Sequence, residues 1–163
     1  MRVLYDLVIV GGGAAGLTAA LYASRSGLDC IVLDPSSPEG SSIALTDAVE
    51  NYTGFSDIAG FDLIQHFYSH AKSFGANFVR QSLVGIRKNY DGFILECSDS
   101  EVKTKSVILC MGATHKKLGI DGENKFEGRG VSYCAVCDGY FFKDKTVAVI
   151  LSLIHISEPT RPY

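Results

Sequence analysis

No uninterrupted apolar segment of this sequence approaches the roughly 18 residues that a membrane-crossing helix needs. Long basic runs are absent too: Lys116-Lys117 is too short for an electrostatic footprint on nucleic acid, and the net charge is -3. A secretory signal is missing. The amino end, MRVLYDLVIVGGG, carries Asp6 and runs into three glycines where a signal peptide would have a small-residue cleavage site. Without such a signal, five cysteines do not spell a disulfide scaffold, and the expected location is the cytoplasm. Internal repeats and low-complexity tracts are also lacking. What remains is an ordinary globular composition, 47% hydrophobic and 20% charged over 163 residues, enough for a sizeable core.

Tyr5 to Val10 (YDLVIV) is a near-continuous apolar run bounded by Gly11, the pattern of a strand buried on both faces of a parallel sheet. GGGAAG follows, then Leu17, Ala20, Leu21 and Ser24 at helical spacing, with Gly27 placed to close the helix in the left-handed conformation. Cys30 to Leu33 is a second strand, ending at Asp34. Gly11, Gly13 and Gly16 match G-x-G-x-x-G, in which the glycines allow a tight turn, close approach of a pyrophosphate and close packing of helix on strand. Backbone N–H groups at the helix start then face the phosphates. An acid after the second strand, about 20 residues on, is placed to bind a ribose. Asp34 meets that condition, so the turn predicts dinucleotide binding; a free 2'-hydroxyl is favoured, which fits FAD or NAD and not NADP.

Further along, Pro35 to Ser42 reads as a loop. Phe61 to Phe74 reads as a helix with one apolar stripe, ended by Gly75, and Asn77 to Val79 as a third parallel strand. Val84 to Ile86 and Phe93 to Cys97, broken by Asn89 to Gly92, predict a hairpin with an Asp-Gly turn. Val102 to Lys105 is a candidate third antiparallel strand, before a separate buried strand from Val107 to Cys110. A hairpin inserted between parallel strands suggests, by analogy, the flavin-binding variant of the fold.

Cys134 and Cys137 stand three apart, with Asp138 next. Three readings stay open on the residues alone. A structural zinc site needs four ligands, usually with a second close pair, whereas Cys30, Cys97 and Cys110 are scattered; His66 and His70 could share one helix face. Two ordinary buried thiols are the second reading. The third is a redox pair that closes a small ring, with one thiol attacking a partner's disulfide and Asp138 supplying a proton.

GGGAAGLTAALYASRSG, VENYTGF and above all GATHKKLGIDGENKFEGRGVSYCAVCDGYFFKDKTVAVI resemble the low-molecular-weight thioredoxin reductase family, over Met1 to Ile150. The resemblance implies an α/β protein: a Rossmann-like FAD-binding domain with an inserted antiparallel hairpin or meander over 1–112, a crossover at 113–117, and over 118–150 the start of a second nucleotide-binding domain, for NADPH, carrying the dithiol. It implies that hydride passes from NADPH to FAD, two electrons pass from FAD to the Cys134-Cys137 disulfide, and the dithiol reduces a thioredoxin-like protein. Cys137 would face the flavin, Cys134 would attack the partner, and Asp138 would be the acid. Gly11, Gly13, Ala14, Gly16 and Asp34 would hold FAD, with Thr46 and Asn51 near its ring, Val84 near its adenine, and Gly112 keeping a turn. A homodimer is expected, and no bound metal. The alternatives are an FAD and dithiol oxidoreductase with another electron donor, and a zinc-binding module.

Two departures from the family pattern stand out. Gly40-Ser41-Ser42-Ile43 replaces a Gly-Gly-Gln-Leu type segment, and Cys110-Met111-Gly112-Ala113 replaces Ala-Thr-Gly-Ala. A third feature is the tail. Val147 to Ile150 reads as a strand that should lead into a second glycine turn, yet LSLIHISEPTR follows, which looks like the translation of a sequencing-library adaptor. The expectation is that 151–163 is non-native, that the sheet exposes an unpaired edge, and that the chain folds poorly, binds FAD weakly if at all, and has no NADPH-dependent turnover.

Overall fold

The computed structural model describes residues 4–36 and 38–150, except for the side chains of Val136 and Cys137. The tail 151–163 lies outside the described residues. The chain divides into two compact units, Met1–Ala113 and Thr114–Tyr163.

The first unit is an α/β layer structure. Strands β1 (Tyr5–Val10), β2 (Cys30–Leu33) and β3 (Asn77–Val79) are parallel, helix α1 (Ala14–Arg25) joins β1 to β2, and α2 (Gly60–Ser73) precedes β3. Strands β4 (Leu83–Asn89), β5 (Gly92–Cys97) and β6 (Glu101–Leu109) form an antiparallel meander, and the sheet order is β3-β2-β1-β6-β5-β4. Successive side chains of a strand point to opposite faces. Leu7 and Ile9 therefore share one core with Ala20 and Ala23 of α1 and Ala71, while Val8 and Val10 share a second with Ile31, Leu33 and Leu95 of β5. Helices cover one face and the meander curls over the other. Both faces of β1 are thus removed from water, which is why its sequence is apolar without alternation.

β6 is one strand of nine residues, where the sequence predicts two. The polar residues Lys103, Lys105 and Ser106 that break the apolar pattern mark a change of partner. Glu101 to Thr104 pair antiparallel with β5, and Thr104 to Leu109 pair parallel with β1. At this corner Thr104 is fully buried, with its hydroxyl 2.9 Å from the Ser106 carbonyl and 3.2 Å from that of Tyr5. Beyond the corner, no strand among the described residues pairs with the other edge of Ser106 to Leu109, and Ile108 and Leu109 are exposed.

The hairpin also differs in detail from expectation. Asn89 pairs with Gly92, so Tyr90 and Asp91 form the loop and Gly92 opens β5. A glycine is needed there for its backbone, with φ +139°, and because a Cβ would run into the Thr104 carbonyl. Gly27, at φ +74°, closes α1 as the sequence predicts.

The second unit holds two short helices, α3 (Glu123–Phe126) and α4 (Ala135–Asp138), followed by a 3-10 turn at Gly139–Phe142. Val147 to Ile150, predicted as a strand, has no regular secondary structure: Val147, Val149 and Ile150 are exposed, and among the described residues no strand pairs with them.

Candidate functional site

The glycine turn sits where β1, β2 and β6 end together. The Gly11 N–H donates to the Leu33 carbonyl at 2.9 Å, and the Cys110 N–H donates to the Val10 carbonyl at 2.7 Å. Gly11 has φ +104°, and a Cβ there would collide with the Cys110 carbonyl. A Cβ on Gly16 would strike the Gly11 carbonyl, so α1 approaches the turn closely enough to exclude any side chain. Cys110, one of the two departures from the family pattern, thereby forms the floor of the turn through its backbone. Burial pushes its thiol pKa up.

Gly13 is the N-cap of α1 and makes no side-chain cap, and the first turn contains no acidic residue. The helix start is therefore suited to an outside anion. Ala14 is its first residue. Ser41, whose Cβ lies 3.9 Å from where a Gly13 Cβ would stand, borders the turn, whereas Ser42 is exposed. Asp34 follows β2, and its carboxylate accepts hydrogen bonds from the Gly12 N–H at 2.5 Å and the Ser36 N–H at 2.8 Å. The structure thus brings Gly11, Gly13, Ala14, Gly16 and Asp34 into one constellation at the carboxyl ends of the parallel strands. There the chain departs from β1 toward β2 on one side and β6 lies on the other, the crevice where open α/β sheets bind ligands.

The remaining predicted contacts are more dispersed. Thr46 is exposed, and its carbonyl accepts from the Gly60 N–H at 3.0 Å, joining its loop to the start of α2. Asn51 is exposed. Val84 sits at a register shift of β4, the strand farthest from β1 on that side, and is 73% exposed. Gly112 has φ +68° and open space around it, and no turn is assigned at Met111 to Ala113.

In the second unit Cys134 is disulfide-bonded, while Cys30, Cys97 and Cys110 carry free thiols. The backbone of Cys137 lies in α4; its side chain is outside the described residues, and with it the predicted contact to a flavin. Asp138 closes α4, its N–H donating to the Cys134 carbonyl at 3.0 Å. Its carboxylate accepts a hydrogen bond from Ser132 Oγ at 2.6 Å.

Two residues that the sequence reading did not single out organise this segment. Glu123 is almost fully buried, and its carboxylate accepts from the Leu118 N–H at 2.9 Å, the Gly119 N–H at 2.7 Å and the Tyr133 hydroxyl at 2.7 Å. These bonds, that from Leu118 foremost, hold its pKa below the ordinary carboxylate value. Tyr133 is pushed up to about 12, chiefly because its phenol donates to Glu123. Its ring stacks on His115 at 5.1 Å. The residue just before Cys134 is thus held by its hydroxyl and its ring face.

Among the described residues no group of three or more His, Cys, Asp or Glu is arranged to hold a metal ion. His66 and His70 each pack against an aromatic ring, Phe55 and Phe74. No helix among the described residues is long and apolar enough to cross a membrane.

The family model for pyridine nucleotide-disulphide oxidoreductases matches residues 5–151. The chain is 42% identical over 147 residues to the thioredoxin reductase of Bacillus subtilis (strain 168), covering 90% of this chain and 46% of that protein. It is 44% identical over 151 residues to the thioredoxin reductase of Treponema pallidum (strain Nichols), covering 92% and 49%. The crystal structure of thioredoxin reductase from Streptococcus pyogenes MGAS5005 superposes with a TM-score of 0.81 at 38% identity, over 88% of this chain and 47% of that one. The chain spans about half the length of the curated relatives it matches.

Proposed function

Since the chain belongs to the low-molecular-weight thioredoxin reductase family, within the pyridine nucleotide-disulphide oxidoreductases, we propose that it carries the FAD-binding turn and the redox dithiol of a thioredoxin-disulfide reductase. The observation that carries this reading is that Cys134 stands in a disulfide while the three scattered cysteines remain thiols. Cys137 is its partner in this proposal, which leaves no thiol ligand set for zinc.

The residues at the turn fit FAD. Gly13 leaves no Cβ between pyrophosphate and backbone, Gly11 and Gly16 let the turn pack against Cys110 and α1, the uncapped start of α1 at Gly13 and Ala14 receives the negative charge, and Asp34 takes the ribose hydroxyls by exchanging them for its present bonds to Gly12 and Ser36. Thr46 and Asn51 lie toward the ring, and Val84 toward the adenine. Bound FAD supplies the two-electron link between NADPH and the dithiol. Within the dithiol, Cys134 attacks the disulfide of a thioredoxin-like protein, Asp138 gives the proton to the departing sulfur, and Cys137 resolves the mixed disulfide. In this proposal residues 1–112 serve FAD, 113–117 form the crossover and 118–150 begin the NADPH domain. The protein works in the cytoplasm as a homodimer; its partner is a protein and not nucleic acid.

The reading is tested by chemically reducing the 163-residue chain, removing the reductant and adding an oxidised thioredoxin. One partner disulfide should be reduced per chain, and Cys134→Ser should abolish the transfer. Absent transfer, or transfer that survives Cys134→Ser, sinks the reading. The same chain should retain FAD weakly and show no NADPH oxidation.

A further inference from the structure

Ser132 stands two residues before Cys134 and lies outside α4, yet its hydroxyl is the junction of three groups. The Cys134 N–H donates to Ser132 Oγ at 3.1 Å. Ser132 Oγ in turn lies 2.6 Å from Asp138 Oδ2 and 3.3 Å from the Cys134 carbonyl. A hydroxyl has one proton, so it donates to one of these acceptors at a time. With Asp138 ionised, the shorter, charge-assisted bond takes the proton. The Cys134 carbonyl is not orphaned by that choice, because the Asp138 N–H already donates to it at 3.0 Å.

Resting on the reading that Cys134 attacks and Asp138 is the acid, we propose that Ser132 is a positioning residue for proton transfer at the dithiol. With Asp138 protonated, the Ser132 proton points to the Cys134 carbonyl. The Cys134 thiolate then attacks the substrate disulfide: one sulfur–sulfur bond forms, the other breaks, and the departing thiolate takes the Asp138 proton. Asp138 is left as a carboxylate. The Ser132 hydroxyl rotates to it and holds it in place, stabilising the form that the transfer has just produced. The second thiol gives its proton to the Asp138 carboxylate and attacks Cys134 in the mixed disulfide; the sulfur–sulfur bond to the substrate breaks and the departing sulfur takes that proton from Asp138, so the dithiol is oxidised by two electrons and the substrate disulfide is reduced to two thiols. Throughout, Ser132 keeps the Cys134 N–H bonded. Backbone and acid are therefore tied to one atom.

A group acting through the acid matters only when the leaving sulfur needs a proton. Alkyl thiolates are basic and need one; an aromatic nitro-substituted thiolate leaves without it. The 163-residue chain, reduced by dithiothreitol and freed of it, is mixed with either bis(2-hydroxyethyl) disulfide or 5,5'-dithiobis(2-nitrobenzoate). Rates are compared for wild type, Ser132→Ala, Ser132→Thr, Asp138→Asn and the double variant Ser132→Ala/Asp138→Asn, with circular dichroism as the control for folding. Ser132→Ala should slow the alkyl disulfide about tenfold, as expected for loss of one charge-assisted hydrogen bond, and leave the aromatic one unchanged. Ser132→Thr should restore the alkyl rate, and Ser132→Ala should add nothing to Asp138→Asn. Equal slowing with both disulfides would reduce Ser132 to a helix cap and overturn the proposal, as would slowing that persists in the Asp138→Asn background. A wild-type alkyl rate in Ser132→Ala, with Asp138→Asn slow, overturns the role of Ser132 alone. A wild-type rate in Asp138→Asn removes the acid itself and, with it, the proton step of the proposed function.

Discussion

The two units of this chain are held by different forces. Every buried apolar residue among those described lies in the first unit, between Leu7 and Leu95, most of them in two clusters, one shared by the sheet with α1 and α2 and one shared by the sheet with the meander. In the second unit the only buried residue among those described is an acid, Glu123, and the larger apolar side chains Leu118, Ile120, Phe126, Tyr140 and Phe141 are exposed. Hydrophobic burial contributes about 1.5–3 kcal/mol for each fully buried large side chain and has no direction. Hydrogen bonds contribute less but fix geometry. In the proposed function, the nucleotide-binding turn needs a rigid floor, which the first unit supplies, and the dithiol needs defined local geometry, for which a polar network suffices.

The largest effect that separates the units is Leu95→Ala. Leu95 is fully buried and is the meander's one fully buried residue in the core shared with Val8, Val10, Ile31 and Leu33. Removing it should lower the stability of the first unit by about 2–5 kcal/mol, since the lost transfer energy is joined by an unfilled cavity. Chemical denaturation followed by circular dichroism measures this. The titration of Tyr133, in the second unit, should not move. A loss under about 1 kcal/mol would mean that the meander is not a structural part of the core.

Hydrogen exchange sharpens the same contrast with a smaller perturbation, because nothing is mutated. Amides of Val8, Ile9, Ile31 and Val32 are paired in central strands over a dry core and should exchange only with global opening of their unit. Amides of Leu118, Gly119 and Cys134 are held by side chains, to Glu123 and Ser132, and should exchange through local openings at least tenfold faster. Equal protection in the two sets would erase the distinction.

The sequence made the first unit readable because burial there leaves a pattern. YDLVIV and CIVL are apolar without alternation, and the strand bounds read from them match the structure. The glycine turn was legible for a related reason: Gly11 and Gly16 are required by backbone collisions that no other residue tolerates. β6 misled because Lys103, Lys105 and Ser106 interrupt the apolar run, and a strand that changes partners at Thr104 has no period of its own. The Asp-Gly signal located the hairpin but misplaced its loop by one residue. Asp34 and Ser36, in an Asp-Pro-Ser sequence, carried a turn signature that could have been read. Glu123 could not. An acid in E-N-K-F reads as solvated, and the groups that let it be buried are two backbone amides and a phenol brought from ten residues away. Ser132 and Asp138 are six apart, across the start of a helix, a spacing that no regular element repeats.

The smallest expected effect is local and lies beside the dithiol. The folded Tyr133 phenol has its pKa raised from 10.0 to about 12, so the network binds the phenolic proton more tightly than the unfolded chain does. Its stabilisation is therefore complete below pH 10 and is lost as pH rises from 10 toward 12. Glu123 has the opposite sign. Its pKa is lowered, so its contribution is present above the ordinary carboxylate value and disappears as pH falls through the lower folded one. Glu123→Gln removes the charge that raises Tyr133 while keeping a side chain of the same length. Absorbance at the tyrosinate band, read as the difference between wild type and Tyr133→Phe, isolates this one phenol. Its midpoint should stand near 12 in wild type and move toward 10 in Glu123→Gln. A phenol that titrates at its ordinary value in wild type would show that the bond to Glu123 does not form in solution. The second unit would then be left without the buried acid that distinguishes it from the first.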